Sequence, residues 1–304
     1  MSDLTVRGRV LQLSGLHSLV AIDGEVWQCE LRGRLKAAMR GATAPLAAGD
    51  WVEVQATGPG TGVVEEVHAR HGKISRLASG MRGREQVIAA NVDQLVVVVA
   101  AREPETRPGF IDRAIAMAHA GEIVPVVCIN KVDLAYRELH DELGRVYSGL
   151  GYAVHYTSAL TGEGVAELAH RLADRVSAMV GQSGVGKSSL LNHLDPGLNI
   201  QTRELMKRHD RGRHTTTMAR LYPLPQGGYL VDTPGIKELQ LWQVQRPELV
   251  HYFVEMAPFA GQCHFRDCRH RSEPGCAIRA AVDEGRISTL RYEGYQRIAE
   301  SLEE

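Results

Sequence analysis

The run Gly181-Gln182-Ser183-Gly184-Val185-Gly186-Lys187-Ser188 has the G-x-x-x-x-G-K-S spacing of a loop that cradles phosphates. Its glycines let backbone N–H groups converge on phosphate oxygens. A helix opening at Lys187 and continuing through Ser189-Leu190-Leu191-Asn192 would add its positive end. Lys187 is expected to reach the β and γ oxygens and Ser188 to ligate Mg²⁺, so that Gly181 through Ser189 form one phosphate-binding set. Asn130-Lys131-Val132-Asp133 follows an apolar run ending at Ile129, which puts it at a strand's carboxyl end, where sheet ligands bind. A carboxylate there accepts hydrogen bonds from N1–H and the 2-amino group of guanine. Adenine offers neither in that arrangement, and a buried unpaired carboxylate is expensive, so Asp133 discriminates between the bases. Asn130 is expected to donate to the base's other edge while tying loops together, with the Lys131 stem over the ring. Thr157-Ser158-Ala159 ends another strand, placing Ser158 beside the base and the Ala159 N–H at guanine O6.

Asp232-Thr233-Pro234-Gly235 follows Tyr229-Leu230-Val231 and gives D-x-x-G: Asp232 would hold Mg²⁺ through a water, and the Gly235 N–H would sense a third phosphate. Between this segment and the phosphate loop lies Gly212-Arg213-His214-Thr215-Thr216-Thr217. It suits a loop whose Thr216 closes over Mg²⁺ when the third phosphate is present; taken alone, the threonines also suit an exposed strand. Position 236, directly after Gly235, is Ile, where many nucleotide hydrolases of this kind place a Gln that orients the attacking water. The nearest polar substitute is His214, which also suits a solvated or phosphate-contacting role. In the usual order the phosphate loop comes first and the base-reading motifs last. Here residues 130 and 157 precede 181, so the order is circularly permuted, which a site assembled from strand ends tolerates.

Of five cysteines, Cys29 and Cys128 stand alone, while Cys263, Cys268 and Cys276 fall within fourteen residues. That is unlike a secreted disulfide framework. Three thiolates and one imidazole suit a closed tetrahedral zinc site, with His270 and His264 both within reach.

The elements that must position these groups fall into three textures. Short β-type runs fill residues 4 to 70, with Asp23-Gly24 as a two-residue hairpin turn. They predict a small closed barrel, OB-like or SH3-like, over 1–70. Residues 71–89, rich in Gly, Ser and Arg, read as a linker. From 90 to 245 apolar strands alternate with helical patterns, predicting a mostly parallel sheet covered on both faces. Residues 246–304 read as a helical, metal-binding end.

The permuted order, Gly-Arg-His-Thr-Thr-Thr, Asp-Thr-Pro-Gly and Cys-x4-Cys-x-His-x5-Cys together resemble the small ribosomal subunit-dependent GTPase A (RsgA) family over nearly the whole chain. The resemblance implies a multidomain protein: an N-terminal OB barrel, a central α/β P-loop GTPase domain in permuted order and a C-terminal zinc domain. It further implies GTP and GDP as ligands, Mg²⁺ with the nucleotide, one structural Zn²⁺ on Cys263, Cys268, His270 and Cys276, and His214 as the catalytic group alongside Lys187 and Thr216. The partners it implies are the small ribosomal subunit and its rRNA, in late maturation, with other assembly factors as candidates.

Charge and hydropathy bound the rest. The 304 residues carry 35 Lys and Arg against 36 Asp and Glu, a formal charge of −1, so there is no global basic field and any RNA contact is local. Arg266, Arg269 and Arg271 form one candidate RNA-facing group beside the zinc ligands. Arg203, Lys207, Arg208, Arg211 and Arg213 form another leading into the threonine loop. No apolar run approaches the ~18 residues of a membrane span, and the opening residues lack the build of a secretory signal, so the expectation is a cytoplasmic monomer without membrane contact. Two alternatives are a zinc-containing RNA-binding switch with negligible turnover, and a permuted GTPase acting on another RNA or protein.

Overall fold

The computed structural model describes residues 5–15, 17–35, 46–77, 85–134, 137–198, 219–232 and 244–302. Five strands open it: β1 (Thr5–Ser14), β2 (His17–Ile22), β3 (Glu25–Leu31), β4 (Trp51–Gly58) and β5 (Thr61–Val67). Alternate residues point inward, so that Val20, Ile22, Val52, Val54 and Val64 meet Val10, Cys29 and Leu31 in one core, as the period of two demands. Asp23 and Gly24 both have positive φ, 48° and 84°, the conformation of a primed hairpin turn. β1 pairs antiparallel with both β2 and β4, and β3 runs parallel to β5. A parallel pair cannot arise in a simple meander; this Greek-key closure is that of an OB barrel.

The segment expected as a linker is more ordered than its composition indicates. β6 (Lys73–Leu77) and β7 (Glu85–Ala90) form an antiparallel pair, and Ala89 bridges to Ala48 beside the barrel. Ile74 and Ala89 are buried with Leu11 and Val92. A few apolar residues at alternate positions suffice for a two-stranded ribbon that packs on something larger.

The central sheet contains β8 (Gln94–Ala100), β9 (Val124–Asn130), β10 (Ala153–Thr157), β11 (Val176–Val180), β12 (Arg220–Pro223) and β13 (Tyr229–Asp232) in the order β10-β9-β8-β11-β13-β12. All neighbours are parallel except β13 and β12. Every residue of β8 is buried, because its two faces enter different cores. Leu95, Val97 and Val99 pack with Ile111 and Ile115 of helix α1 (Pro108–Ala120) and Tyr147 of α2 (Arg137–Gly149). Val96, Val98 and Ala100 pack with Leu168 of α3 (Val165–Leu172) and Leu190 of α4 (Lys187–Leu194). The chain runs outward from β8 to β9 and β10, then returns to β11 on the other side of β8. The strand order reverses there, and the crevice at the carboxyl ends beside such a reversal is where doubly wound sheets bind ligands. Gln12 of β1 pairs with Arg220 of β12, joining barrel and sheet. The Arg9 guanidinium lies 4.3 Å from the Trp51 ring of the barrel and 5.3 Å from the Tyr229 ring of the sheet, a cation–π clasp across the junction.

The C-terminal part contains short helices α5 (Arg246–Leu249) and α6 (Ala277–Asp283) and the longer α7 (Thr289–Ser301). Their core, with Leu249, Phe253, Met256, Ile278, Tyr295 and Ile298, also takes in Ala116 of α1. Arg291 of α7 is fully buried and pairs with the fully buried Asp112 of α1. Its Nε also donates to Glu255 at 2.6 Å, and Tyr147 of α2 donates its hydroxyl to Asp112 at 2.8 Å. A buried charge cluster thus pins α7 to α1 and α2. Among the described residues no helix is long and apolar enough to cross a membrane.

Candidate functional site

Among the described residues, the motifs at 130–133, 157–159 and 181–189 meet at the carboxyl edge of the parallel sheet. Val180 ends β11 and Gly181 begins the phosphate loop, whose Ser188 and Ser189 lie in the first turn of α4. Gly186 has φ of 95°, and a Cβ there would stand 2.3 Å from Asn130 Nδ2. Only glycine meets both conditions, so the last glycine of the loop is fixed by the approach of Asn130 as well as by the turn. Gly184 is also left-handed, at 88°, and Val185 buries its side chain under the loop. Lys187 Nζ donates across the loop to the carbonyls of Gly181, at 2.5 Å, and Gln182, at 3.0 Å. Its ammonium therefore folds back onto the opening residues of the loop.

Asn130 is the joint of the site. It lies opposite Thr157 in the parallel pairing of β9 and β10 and is almost wholly buried. Its Nδ2 donates to the Val185 carbonyl at 2.8 Å, and its Oδ1 accepts from Thr157 Oγ1 at 3.1 Å and from the Ala159 N–H at 3.2 Å. One amide side chain thus links the phosphate loop to both loops expected to read the base, which is the loop-tying expected of it. The Ala159 N–H, expected to meet guanine O6, is turned to Asn130 in this structure. Asp133 sits in the turn Val132–Leu134, where its Oδ1 accepts from Ser158 Oγ at 2.6 Å. The same Oγ accepts the N–H groups of Leu160 and Thr161 at 3.3 and 3.1 Å. Ser158 therefore holds the carboxylate in one orientation through a loop that is itself fixed. Lys131 has a left-handed φ of 64°, and its Nζ donates to the Glu103 carbonyl at 2.5 Å. That brings in the loop after β8, which no motif flagged. Cys128, in contact with Thr157 Oγ1 at 3.3 Å, has its thiol pushed up to about 12 by burial, against the opposing Thr157 hydrogen bond. It is a small core residue and not a nucleophile.

Asp232 ends β13, opposite Arg220 of β12, on the side of the sheet from which the phosphate loop leaves. His214, Thr216 and Gly235, with the rest of the threonine loop, Ile236 and the basic stretch 203–213, lie outside the described residues.

The four predicted metal ligands come together well beyond that site in sequence. One ligand atom from each of Cys263, Cys268, His270 and Cys276 falls in a group spanning no more than 4.8 Å. His270 Nδ1 is 3.5 Å from both Cys263 Sγ and Cys276 Sγ, and these sulfurs are 3.9 Å apart. Tetrahedral zinc with its usual bond lengths requires about 3.6 Å between sulfur and nitrogen and about 3.8 Å between sulfurs. The donor set fits that ion in kind and in spacing. His264 is not in the group; its ring packs edge-on against Phe265. Tyr292 and Gln296 of α7 both donate to the His270 carbonyl, at 2.6 and 2.5 Å, so α7 holds the histidine's backbone as outer partners of a metal site do. Glu273 accepts the N–H groups of Arg269, Arg271 and Ser272. Burial would raise its pKa, but these bonds outweigh that and bring it down to about 2, which marks a ligand loop folded around a carboxylate.

Comparison with known proteins gives one consistent picture. A family model described as RsgA GTPase matches residues 67–242. Among curated proteins, the small ribosomal subunit biogenesis GTPase RsgA of Bacteroides fragilis is 39% identical over 304 residues, covering 98% of each chain. The protein of the same name from Moorella thermoacetica is 41% identical over 290 residues, covering 95% of each. Among solved structures, YjeQ from Thermotoga maritima superposes with a TM-score of 0.81 at 36% identity, covering 98% of this chain and 99% of that one. YloQ, described as a circularly permuted GTPase, gives 0.75 at 28% identity, covering 99% and 96%.

Proposed function

Because the chain belongs to the RsgA GTPase family, we propose that it hydrolyses GTP to GDP and phosphate on the small ribosomal subunit, as a late maturation factor. The observation that carries the nucleotide half is the Asn130 joint, which brings the phosphate loop within hydrogen-bond distance of the residues that select guanine. The subunit half rests on the relatives named for small-subunit biogenesis, which match end to end. In this reading Gly181 to Ser189 hold the phosphates, with Lys187 as the cation nearest the developing charge. Asp133 and Ser158 read the base; Ser188, Thr216 and Asp232 hold Mg²⁺ directly or through water; and Gly235 senses the third phosphate. The zinc clamps the part over residues 246–304, and the barrel occupies 1–70. Ribosomal RNA is the surface met, other assembly factors are partners in sequence, and the protein works as a monomer in the cytoplasm.

The reaction needs little covalent chemistry from the protein. The third phosphoryl group passes to water through a loose transition state, so catalysis is positioning and charge stabilisation. Ile236 cannot orient water, and His214 takes that role in this proposal. His214→Ala should therefore lower subunit-stimulated kcat by ten-fold or more while leaving GTP affinity within about two-fold, since the interaction is made only in the transition state. Single-turnover hydrolysis beside equilibrium binding of a fluorescent GTP analogue reads the two separately; an unchanged stimulated kcat would move the role to a group supplied by the partner.

Co-sedimentation with purified small subunits tests the proposal as a whole. The protein is expected in the subunit fraction with a non-hydrolysable GTP analogue and to be depleted from it with GDP. Its absence from that fraction in both states would overturn the subunit assignment.

A further inference from the structure

A cleft of about 650 Å³ opens between strand β10 and helix α3, at the edge of the GTPase sheet, and is lined by His155, Ala166, Glu167, His170, Arg171 and Arg175. None of these residues belongs to the nucleotide or zinc sites. Two guanidinium groups and two imidazoles share this cleft with one carboxylate. Glu167 stands four residues before Arg171 on α3, a spacing that usually pairs. Yet among the described residues Arg171 has no ion-pair or hydrogen-bond partner for its guanidinium, and its Nε is buried and unsatisfied. Arg175 donates Nη1 to the Arg171 carbonyl at 2.8 Å, and Gln94 donates to the same carbonyl at 3.1 Å. The end of α3 is therefore fixed in place with both cations beside one another. On their other side the same two arginines border a cavity of about 400 Å³ that contains Asp93, Glu122 and Asp174, but among the described residues neither makes an ion pair there.

Like charges held together by backbone, with a buried donor left unused, are costly unless an anion completes them. Burial lowers the pKa of Arg171, and Arg175 lowers it further, the direction expected where a counter-ion is wanting. Arginine forks match phosphate oxygens in pairs, and an open cleft on a sheet edge admits a continuous chain of phosphates. We propose that the cleft between β10 and α3 is a binding site for the phosphodiester backbone of RNA, formed by Arg171 and Arg175 with His155 and His170. It rests on the reading that the partner is a ribosomal subunit, and it adds a contact on the face formed by α3.

The test uses the full-length protein, the double variant Arg171→Ala/Arg175→Ala and the charge-keeping variant Arg171→Lys/Arg175→Lys. Binding is measured by fluorescence anisotropy with a generic RNA duplex and by co-sedimentation with purified small subunits, each across a range of salt. Basal GTP hydrolysis, which none of these positions takes part in, reports that the variants are folded. The alanine pair should weaken RNA duplex binding ten-fold or more and lower the slope of log affinity against log salt by about two, one for each phosphate no longer neutralised; the lysine pair should keep most of both. Unchanged duplex affinity and slope in the alanine pair overturns the proposal, as does failure of the parent protein to bind the duplex at low salt. Loss of subunit binding with duplex binding intact also overturns it, because the cleft would then meet a protein. If the parent binds the duplex through these arginines but does not sediment with subunits, the RNA site stands and the subunit reading falls.

Discussion

Asp133→Asn should turn the preference of the site from GTP towards XTP, with GTP affinity falling on the order of 10⁴-fold. Ser158 Oγ donates to Asp133 Oδ1 at 2.6 Å, so one carboxylate oxygen is held by the protein, and in the proposed reading the other meets the base. Guanine presents two donors to that edge, N1–H and the 2-amino group. An amide in place of the carboxylate puts a donor against the 2-amino donor of guanine, and that mismatch both loses a hydrogen bond and leaves two donors facing each other. Xanthine has an oxygen at the 2-position, which accepts from the new amide. Competition of GTP and XTP for a fluorescent nucleotide on parent and variant measures the change. A variant that keeps parental GTP affinity would remove Asp133 from base reading. Ser158→Ala is expected to shift in the same direction by far less, since it loosens the carboxylate without changing its chemistry.

Arg291→Met should destabilise the protein by about 3–5 kcal/mol, because it leaves the buried carboxylate of Asp112 without its cation. Arg291 and Asp112 are fully buried, and Glu255 is nearly so; the guanidinium also stacks 4.5 Å from Phe253 and 5.6 Å from Tyr147. Replacing the cation while also making Asp112→Asn and Glu255→Gln should recover much of the loss, since the cost lies in the stranded charges and not in the missing bond. The pH dependence has a definite sign. Burial raises the Asp112 pKa in the parent, with Arg291 opposing, so removing Arg291 raises it further. A folded pKa above the unfolded value of about 3.9 gives stability that is present at low pH and lost as pH rises through the folded value. The deficit of Arg291→Met relative to the parent is therefore expected to widen from about pH 4 upwards. Urea midpoints across that range check it, and a loss under about 1 kcal/mol at neutral pH would mean the cluster does not pin α7 to α1.

What the amino-acid sequence reveals of this molecule divides along physical lines. Motifs whose chemistry needs a residue type at a fixed spacing, such as Gly181 to Ser188, Asn130 to Asp133 and Cys263 to Cys276, are readable because spacing along the chain is local geometry. The alternation of buried strands and helices around β8 is readable for the same reason. What is not readable depends on contacts across long separations. The choice between OB and SH3-like barrels turns on the parallel pairing of β3 with β5. β12 is a four-residue strand whose partner β13 supplies most of its definition. The β6–β7 ribbon lies under a Gly- and Arg-rich composition, and its few buried residues join a core, shared with Leu11 and Ile123, that lies far away along the chain. In the site itself, the Val185 and Glu103 carbonyls act through backbone oxygen atoms that every residue carries, so no residue type could announce them. The Asp112–Arg291 pair joins residues 179 apart, each ordinary on its own helix.

The permuted order has one structural consequence for the proposed cycle. Asp232 ends the last strand added to the sheet, and the chain after it continues to the zinc-ligating part, which α1 and α7 hold against the GTPase helices. In the proposed cycle a change at the third phosphate is passed along this stretch of chain into the zinc-ligating part, on the reading that this part meets the subunit. By linkage, a subunit that binds the GTP-like state more tightly must tighten GTP-like nucleotide binding by the same factor.

Hydrolysis on the subunit is measured most directly by the rate of phosphate release from GTP with and without purified small ribosomal subunits. Release by the protein alone is expected to be slow, and the rate to rise many-fold and saturate as subunits are added, with Lys187→Ala showing neither. Equal rates with and without subunits would contradict subunit-stimulated GTP hydrolysis.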